Sequence, residues 1–207
     1  MNEFLIIIFQ FIVFIFSVMV HEVSHGVVAL KLGDETAKKE GRLTLNPLVH
    51  IDFFGSILLP IFLVLTSSPV IFGWAKPVPY NPNNLKNPKK GAALIGIAGP
   101  LSNIALAVIF GILLRIISGI GVPMSLFPLS MLFQIIISIN LLLAVFNLMP
   151  IPPLDGSKLL FAILPQKYYK LQVFLERYGM AILLAFIFFG FGFLISIVNF
   201  LYNVLVL

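Results

Sequence analysis

The chain has 207 residues, of which 60% are apolar and only 10% are charged. So little polar surface cannot cover a water-soluble core, which indicates an integral membrane protein. The net charge of +5 does not favour nucleic-acid binding, because the basic residues cluster in short segments between apolar runs. The absence of cysteine excludes disulfides, thiolate metal sites and a cysteine nucleophile.

Four apolar runs are long enough to cross a lipid bilayer, which takes about 20 helical residues. They are Phe4–Leu30, Ala92–Ile117, Phe127–Met149 and Met180–Leu207. We therefore predict an all-α integral membrane fold in a single domain, residues 1–207, with about four transmembrane helices and a re-entrant or hairpin segment around residues 54–90 that has some extended structure.

The first run contains three ionisable residues, His21, Glu22 and His25, within His-Glu-Val-Ser-His. Such side chains are costly inside a bilayer and are usually functional there. Residues four apart share one face of a helix, so both imidazoles can bind one zinc ion, with Glu22 beside them to take a proton from water. The alternative is that both histidines are packing residues and that Glu22 is their hydrogen-bond partner.

The region after the first run is predicted not to cross the bilayer. Ile57–Phe72 is short for a span and contains Pro60 and Pro69, which favours a re-entrant segment. Gly73–Gly91 is rich in proline and asparagine and is predicted to be extended and turn-rich. Further along, Lys158–Tyr178 mixes charged residues and tyrosines with apolar residues, as interfacial segments do.

Asn103 lies near the start of the second run, just after Gly99 and Pro100. Small residues let membrane helices approach closely, and Asn103 by itself predicts a hydrogen bond to a neighbouring helix. A second hypothesis makes its amide a donor to the oxyanion of a transition state.

Two histidines leave a catalytic zinc ion one protein ligand short. The segment Asn147 to Gly156 breaks a predicted helix with three prolines and then presents Asp155, which can be that ligand but can equally cap the next helix. His50 and Asp52 form the competing pair. The other candidates are Asp34, Glu35, Glu40 and Glu176.

The charge pattern predicts the orientation in the cell membrane. Lys and Arg form three groups of four, within residues 31–53, 74–91 and 150–177. Because basic loops stay in the cytoplasm, all three segments are predicted there and the N-terminus outside. The two histidines then lie near the cytoplasmic end of the first helix, on the side to which Asp155 is delivered.

These motifs together resemble the site-2 protease family of intramembrane zinc metallopeptidases. Its H-E-x-x-H block matches His21, Glu22 and His25, its glycine and asparagine block matches Gly99 through Asn103, and its N-x-x-P-x-x-x-x-D-G block matches Asn147 through Gly156. The resemblance covers about Phe4–Leu164. It implies that Asp155 is the third ligand of one zinc ion and that Asn103 is a catalytic transition-state donor. A minimal form without a PDZ or cystathionine-synthase-like (CBS) domain is expected.

The expected function is hydrolysis of peptide bonds in or near transmembrane segments of membrane proteins, as in regulated intramembrane proteolysis, with Glu22 as the catalytic base. The expected partners are transmembrane substrates and the lipid bilayer, without nucleic acid. Residues 73–91 are the predicted edge to which an extended substrate adds. The alternatives are a metal-ion transporter, which normally places its ligands at the bilayer midplane, and an inactive scaffold that binds membrane helices, which has no use for Glu22.

Overall fold

The computed structural model describes residues 3–66, 75–119 and 127–207. Its helices are α1 (Glu3–Lys31), α2 (Thr36–Lys39), α3 (Leu59–Leu65), α4 (Pro88–Gly119), α5 (Phe127–Asn147), α6 (Asp155–Ile163), α7 (Tyr169–Phe189) and α8 (Phe191–Val206). A π-helical turn, Phe53–Leu58, precedes α3, and short 3-10 turns occupy Pro47–Val49, Pro82–Asn84 and Gln166–Tyr168. Since no β-strand occurs in these three ranges, the predicted all-α fold is confirmed.

Within the described residues, four helical stretches are long and apolar enough to cross a bilayer: α1, α4, α5 and Gln166–Phe189. Their outer faces carry large exposed apolar side chains, among them Phe4, Ile109 and Phe188. Apolar residues on the outside and helical hydrogen bonding along the backbone are what a hydrocarbon solvent requires. The chain is therefore a multi-pass membrane protein, with the predicted number of long apolar helices.

The predicted fourth span, Met180–Leu207, is wrong because the structure divides it between α7 and α8. The fourth long helix begins earlier, so that Lys170, Glu176 and Arg177 lie on a helix that continues into apolar residues. The break falls at Gly190, where a Cβ atom would lie 2.5 Å from Cδ2 of Phe186. The apolar pattern is the same on both sides of Gly190, and hydropathy therefore gave no sign of the break.

Helix α4 occupies the centre of the bundle and packs against α1, α5, α6 and α8. Its buried Ala107 and Leu114 contact Ile137 and Leu141 of α5 and Leu194 of α8. On its other side, near its start, α4 meets α1. Because α4 touches both ends of the chain, it sets the distance between side chains from α1 and from α6.

Residues 75–80, which we call the cover segment, have no regular secondary structure and lie against α1. The N–H of Lys76 donates to the carbonyl of His50 at 2.9 Å. At the other end, Asp34 accepts hydrogen bonds from the N–H of Asn81 and the Nδ2 of Asn84, both at 2.7 Å. The loop that follows α1 thus fixes the cover segment at both ends.

Part of the predicted re-entrant segment lies outside the described residues. The structure shows helix from Phe53 to Leu65, while residues 67–74 are not described. The predicted return of Ile57–Phe72 to its starting side therefore stays a prediction. From residue 75 to Asn81 the chain is irregular, as its prolines predict, and α4 begins at Pro88.

Candidate metal centre

Three buried side chains from opposite ends of the chain meet beside α4. His21 and His25 lie one turn apart on α1, and Asp155 is the first residue of α6. The Oδ2 atom of Asp155 lies 3.0 Å from the Nε2 of His21 and 3.1 Å from the Nε2 of His25. Ligands at roughly 2.0–2.1 Å from a tetrahedral zinc ion are roughly 3.3 Å from one another. The spacing therefore fits one ion.

The hydrogen bonds of the two imidazoles support the same conclusion. The Nδ1 of His25 donates to the carbonyl of Ile95 at 2.6 Å, and the Nδ1 of His21 donates to the Oδ1 of Asn103 at 2.6 Å. A neutral imidazole with its proton on Nδ1 has a lone pair on Nε2. Two such lone pairs and a carboxylate oxygen then face one another, an arrangement that a cation between them stabilises.

Two glycines allow the backbone to close around this centre. At Gly99 of α4 a Cβ atom would lie 2.5 Å from the Nε2 of His21 and 2.6 Å from the Cε1 of His25. At Gly156 a Cβ atom would overlap the carbonyl of Leu148, just after α5. Glycine is thus required where α4 passes the imidazoles and where α6 starts against α5.

Asp155 does not cap α6, so the capping alternative is wrong. Leu154 occupies the N-cap position, without a side-chain hydrogen bond, and Asp155 lies in the first turn. One of its oxygens, Oδ2, faces the histidines, and the other, Oδ1, accepts a hydrogen bond from the Nζ of Lys158 at 2.8 Å. Lys158 in turn lies 5.7 Å from the centre of the Tyr80 ring.

Glu22 lies beside the histidines, and its carboxylate is held by the cover segment. Its Oε2 atom accepts a hydrogen bond from the N–H of Val78 at 2.8 Å. The ligand atoms of His21, Glu22 and His25 all lie within 4.8 Å of one another. They open into a cleft of about 230 Å³ that is also lined by Pro77, Val78, Tyr80, Asn147, Asp155 and Lys158. A polar cleft of this kind gives water a place beside Glu22.

Asn103 is completely buried behind His21. Its Nδ2 atom donates to the Oδ1 of Asn140 at 2.9 Å and to the carbonyl of Ser17 at 3.3 Å, while Asn140 donates to the Oγ of Ser17 at 2.9 Å. The interhelical hydrogen bonding that Asn103 alone predicts is therefore present. Asn147, by contrast, lines the cleft.

The competing candidates are engaged elsewhere. His50 is buried and its Nε2 donates to the carbonyl of Thr44 at 3.0 Å, while Asp52 accepts from the N–H of Gly55 at 2.7 Å. Asp34 holds the turn at residues 81–84. Glu35 pairs with Lys39 on the surface, Glu40 is exposed, and Glu176 accepts from Gln172 on the surface of α7.

Sequence reasoning missed Lys158 and Arg42, which were interpreted only as juxtamembrane charges. Lys158 follows Asp155 by three residues on a helix, so its contact was detectable from spacing. Arg42 is buried and donates to the backbone carbonyls of Val49, Lys76 and Pro77. Every residue has a backbone carbonyl, so no pattern of residue types in the sequence could indicate this contact.

The chain is similar to known metalloproteases. The model for Peptidase family M50 matches residues 123–190. YwhC of Bacillus subtilis, provisionally named a zinc metalloprotease, is 42% identical over 176 residues, which cover 84% of this chain and 77% of that protein. Zinc metalloprotease MJ0392 of Methanocaldococcus jannaschii is 34% identical over 164 residues, 76% of this chain and 35% of that protein. No solved structure matches significantly.

Proposed function

We propose a proteolytic function for this chain, which belongs to peptidase family M50, the site-2 protease family, and is a multi-pass membrane metalloprotease whose cofactor is zinc. The proposed reaction is the hydrolysis of peptide bonds in or near the transmembrane segments of membrane proteins. One observation carries the proposal. The imidazoles of His21 and His25 converge with Asp155 at a cleft shared with Glu22, among helices long enough to span a bilayer.

In this proposal His21, His25 and Asp155 hold the zinc ion. The chemistry that zinc supplies in such a centre is Lewis-acid polarisation of water and of the scissile carbonyl. Glu22 takes the proton from the attacking water and later gives it to the leaving amine nitrogen, so that its own protonation state is restored. The N–H of Val78 holds one oxygen of Glu22 and leaves the other for the proton.

We propose that Asn103 orients His21, since its Oδ1 accepts the Nδ1 proton and thereby leaves the Nε2 lone pair for the metal. The second hypothesis, that Asn103 stabilises the oxyanion, requires its Nδ2 to leave Asn140 and Ser17. Asn147 lines the cleft, and its Nδ2 uses one of its two N–H groups for the carbonyl of Leu143 at 3.0 Å, so that its second N–H is the better placed donor for that role.

The cover segment is the part of the predicted edge, residues 73–91, that we propose receives the substrate. Its N–H groups at Lys76 and Val78 are engaged by His50 and Glu22, and Pro77 and Pro79 have none. Since the carbonyls of Lys76 and Pro77 accept from Arg42, the groups that this stretch offers a substrate are the carbonyls of Val78 and Pro79. An unwound substrate would donate its own N–H groups there. Because proline has no N–H, a proline substitution at a substrate residue that binds should weaken binding, which identifies that residue.

The function is tested with purified protein in liposomes that contain a single-span membrane protein. Cleavage that a zinc chelator abolishes and added zinc restores is the expected result. Glu22→Gln should retain zinc but lose cleavage, while Glu35→Gln, a matched change at an exposed glutamate, should cleave normally. Zinc uptake into the vesicles without cleavage would instead favour a transporter, and cleavage by Glu22→Gln at the wild-type rate would refute the assignment of the base.

We further propose that the protein lies in the cell membrane with the centre near the cytoplasmic side. The chain has no cysteine, so single cysteines report their location without background. Lys90→Cys and Gly119→Cys mark opposite ends of α4. A maleimide that does not cross membranes should label the second in intact cells and the first only after lysis. The reverse pattern would overturn the orientation.

A further inference from the structure

Arg42 is a buried cation whose partners are backbone carbonyls. It follows α2 and is 5% exposed. Its Nη1 donates to the carbonyl of Val49 at 2.6 Å, and its Nη2 donates to the carbonyls of Lys76 at 2.7 Å and Pro77 at 3.1 Å. Removing a guanidinium from water is costly. Its position here joins the loop after α2 to the start of the cover segment.

One peptide group connects Arg42 to Glu22. The peptide between Pro77 and Val78 accepts from Arg42 through its C=O and donates to the Oε2 of Glu22 through its N–H. The C=O and N–H of a planar trans peptide point in opposite directions, so the cation lies on one side of this unit and the carboxylate on the other. Hydrogen bonds at the two ends of a unit polarise each other and strengthen when water is excluded.

The rest of the surroundings leave this peptide little freedom. The N–H of Lys76 is held by the carbonyl of His50 at 2.9 Å. Val78 is buried against α1, where a Cβ atom on Gly26 would lie 2.8 Å from its Cγ1. The side chain of Val78 is thus fixed by α1 and its preceding carbonyl by Arg42, and together they aim its N–H at Glu22.

We propose that Arg42 is a positioning residue for Glu22, acting through the Pro77–Val78 peptide. The guanidinium holds the peptide, the peptide holds one oxygen of the carboxylate, and the second oxygen is thereby directed into the cleft. This inference rests on the proposed function for its consequence in catalysis, but the hydrogen-bonded relay can be measured without catalysis.

The first test compares variants of the full-length, zinc-loaded protein. Arg42→Met keeps an apolar stem and removes the donors, and Arg42→Lys keeps the charge but cannot reach all three carbonyls. Arg42→Met should lower kcat about 10- to 100-fold, as loss of supporting contacts does, with KM and bound zinc unchanged. Arg42→Lys should fall between it and the wild type. Arg115→Met is the matched control, because Arg115 also donates to a backbone carbonyl, that of Val204, far from the cleft.

The second test uses hydrogen exchange of the Val78 amide and needs no substrate. Arg42→Met and Glu22→Ala should each speed exchange, and Arg42→Met should speed it less when Glu22 is already absent, because the two contacts are coupled. If Arg42→Met does not fold, Arg42→Lys replaces it in the same cycle. The proposal would be overturned if the effects of the two substitutions on Val78 exchange were fully additive. A wild-type kcat in Arg42→Met, or a loss of bound zinc together with the loss of kcat, would also overturn it. If the wild-type protein showed no proteolysis, only the proposed function would be refuted. The hydrogen-exchange comparison of the single and double variants would still decide whether Arg42 positions Glu22.

Discussion

Lys158 holds one oxygen of Asp155 and leaves the other to the two histidines. Its Nζ lies 2.8 Å from Oδ1, while Oδ2 of the same carboxylate is 3.0 and 3.1 Å from the imidazole nitrogens. Because Asp155 and Lys158 are on one turn of α6, the helix itself sets this division of the carboxylate. In the proposed centre Asp155 would thereby bind zinc through a single oxygen.

Lys158→Met should therefore weaken zinc binding. Without the ammonium group the carboxylate can rotate, and loss of a contact that orients a ligand lowers metal affinity about 10- to 100-fold. Competition with a fluorescent chelator measures this affinity directly. Lys167→Met is the control, since Lys167 lies on the Tyr168 ring outside the centre. Unchanged binding would show that Lys158 has no net orienting effect, and tighter binding would show that repulsion between the ammonium and the metal outweighs it.

Gly99→Ala should disable the centre. A methyl group there would lie within 2.6 Å of both imidazole rings, so one ring must move, and a displacement of about 1 Å at a reacting centre reduces the rate about 100-fold. Both bound zinc and cleavage should fall. Gly111→Ala is the control for a general effect of a glycine-to-alanine change in α4, because its Cβ atom would make an ordinary 3.5 Å contact with Leu205. Equal effects of the two changes would refute this explanation.

Local sequence patterns predicted much of the centre. His21 and His25 are four apart in an apolar run, and four runs have the length of a span, so both the shared helix face and the bundle follow from spacing. Asp155 was harder, because a carboxylate after a proline-rich break suits a cap as well as a ligand. The choice depends on how α4 places the start of α6 relative to α1, which is a property of the packed bundle.

Other contacts had no sequence signal. Glu22 and Val78 are 56 residues apart and meet through a backbone N–H, which every residue except proline has. The division of the last apolar run at Gly190 also escaped prediction, because glycine is common in membrane helices and hydropathy does not change there. In each case the deciding interaction involves a backbone group or close packing, which residue type alone does not specify.

Replacements at Asn103 should distinguish its two proposed roles. Asn103→Asp keeps the oxygen that accepts from His21 but removes the amide donor, whereas Asn103→Leu removes both. If Asn103 orients His21, the aspartate variant should bind zinc nearly as well as the wild type, and the leucine variant should bind about 10- to 100-fold less tightly. Asn147→Ala should then lower kcat with zinc retained. A loss of kcat with normal zinc binding in Asn103→Asp would favour the oxyanion role.

Asp34→Asn should destabilise the protein at neutral pH and much less in acid. Burial acts to raise the pKa of Asp34, but hydrogen bonds from Thr36, Asn84 and Asn81 outweigh it and hold the pKa below its ordinary value of 3.8. A lowered folded-state pKa contributes stability above the unfolded-state value, and this contribution is lost as the pH falls through the folded-state pKa. The asparagine variant has no second carboxylate oxygen to accept from the Asn81 N–H, and a hydrogen bond to a charged group contributes about 1.5–3 kcal/mol.

Thermal unfolding in detergent at several pH values between 7 and 3 measures this effect. The difference in Tm between the wild type and Asp34→Asn should be constant at high pH and shrink below pH 3.8, the ordinary value. Glu35→Gln, at the next residue, removes an exposed ion pair with Lys39 and should leave Tm nearly unchanged, because such pairs contribute about 0–1 kcal/mol. A difference that does not vary with pH would show that the hydrogen bonds of Asp34 do not depend on its charge.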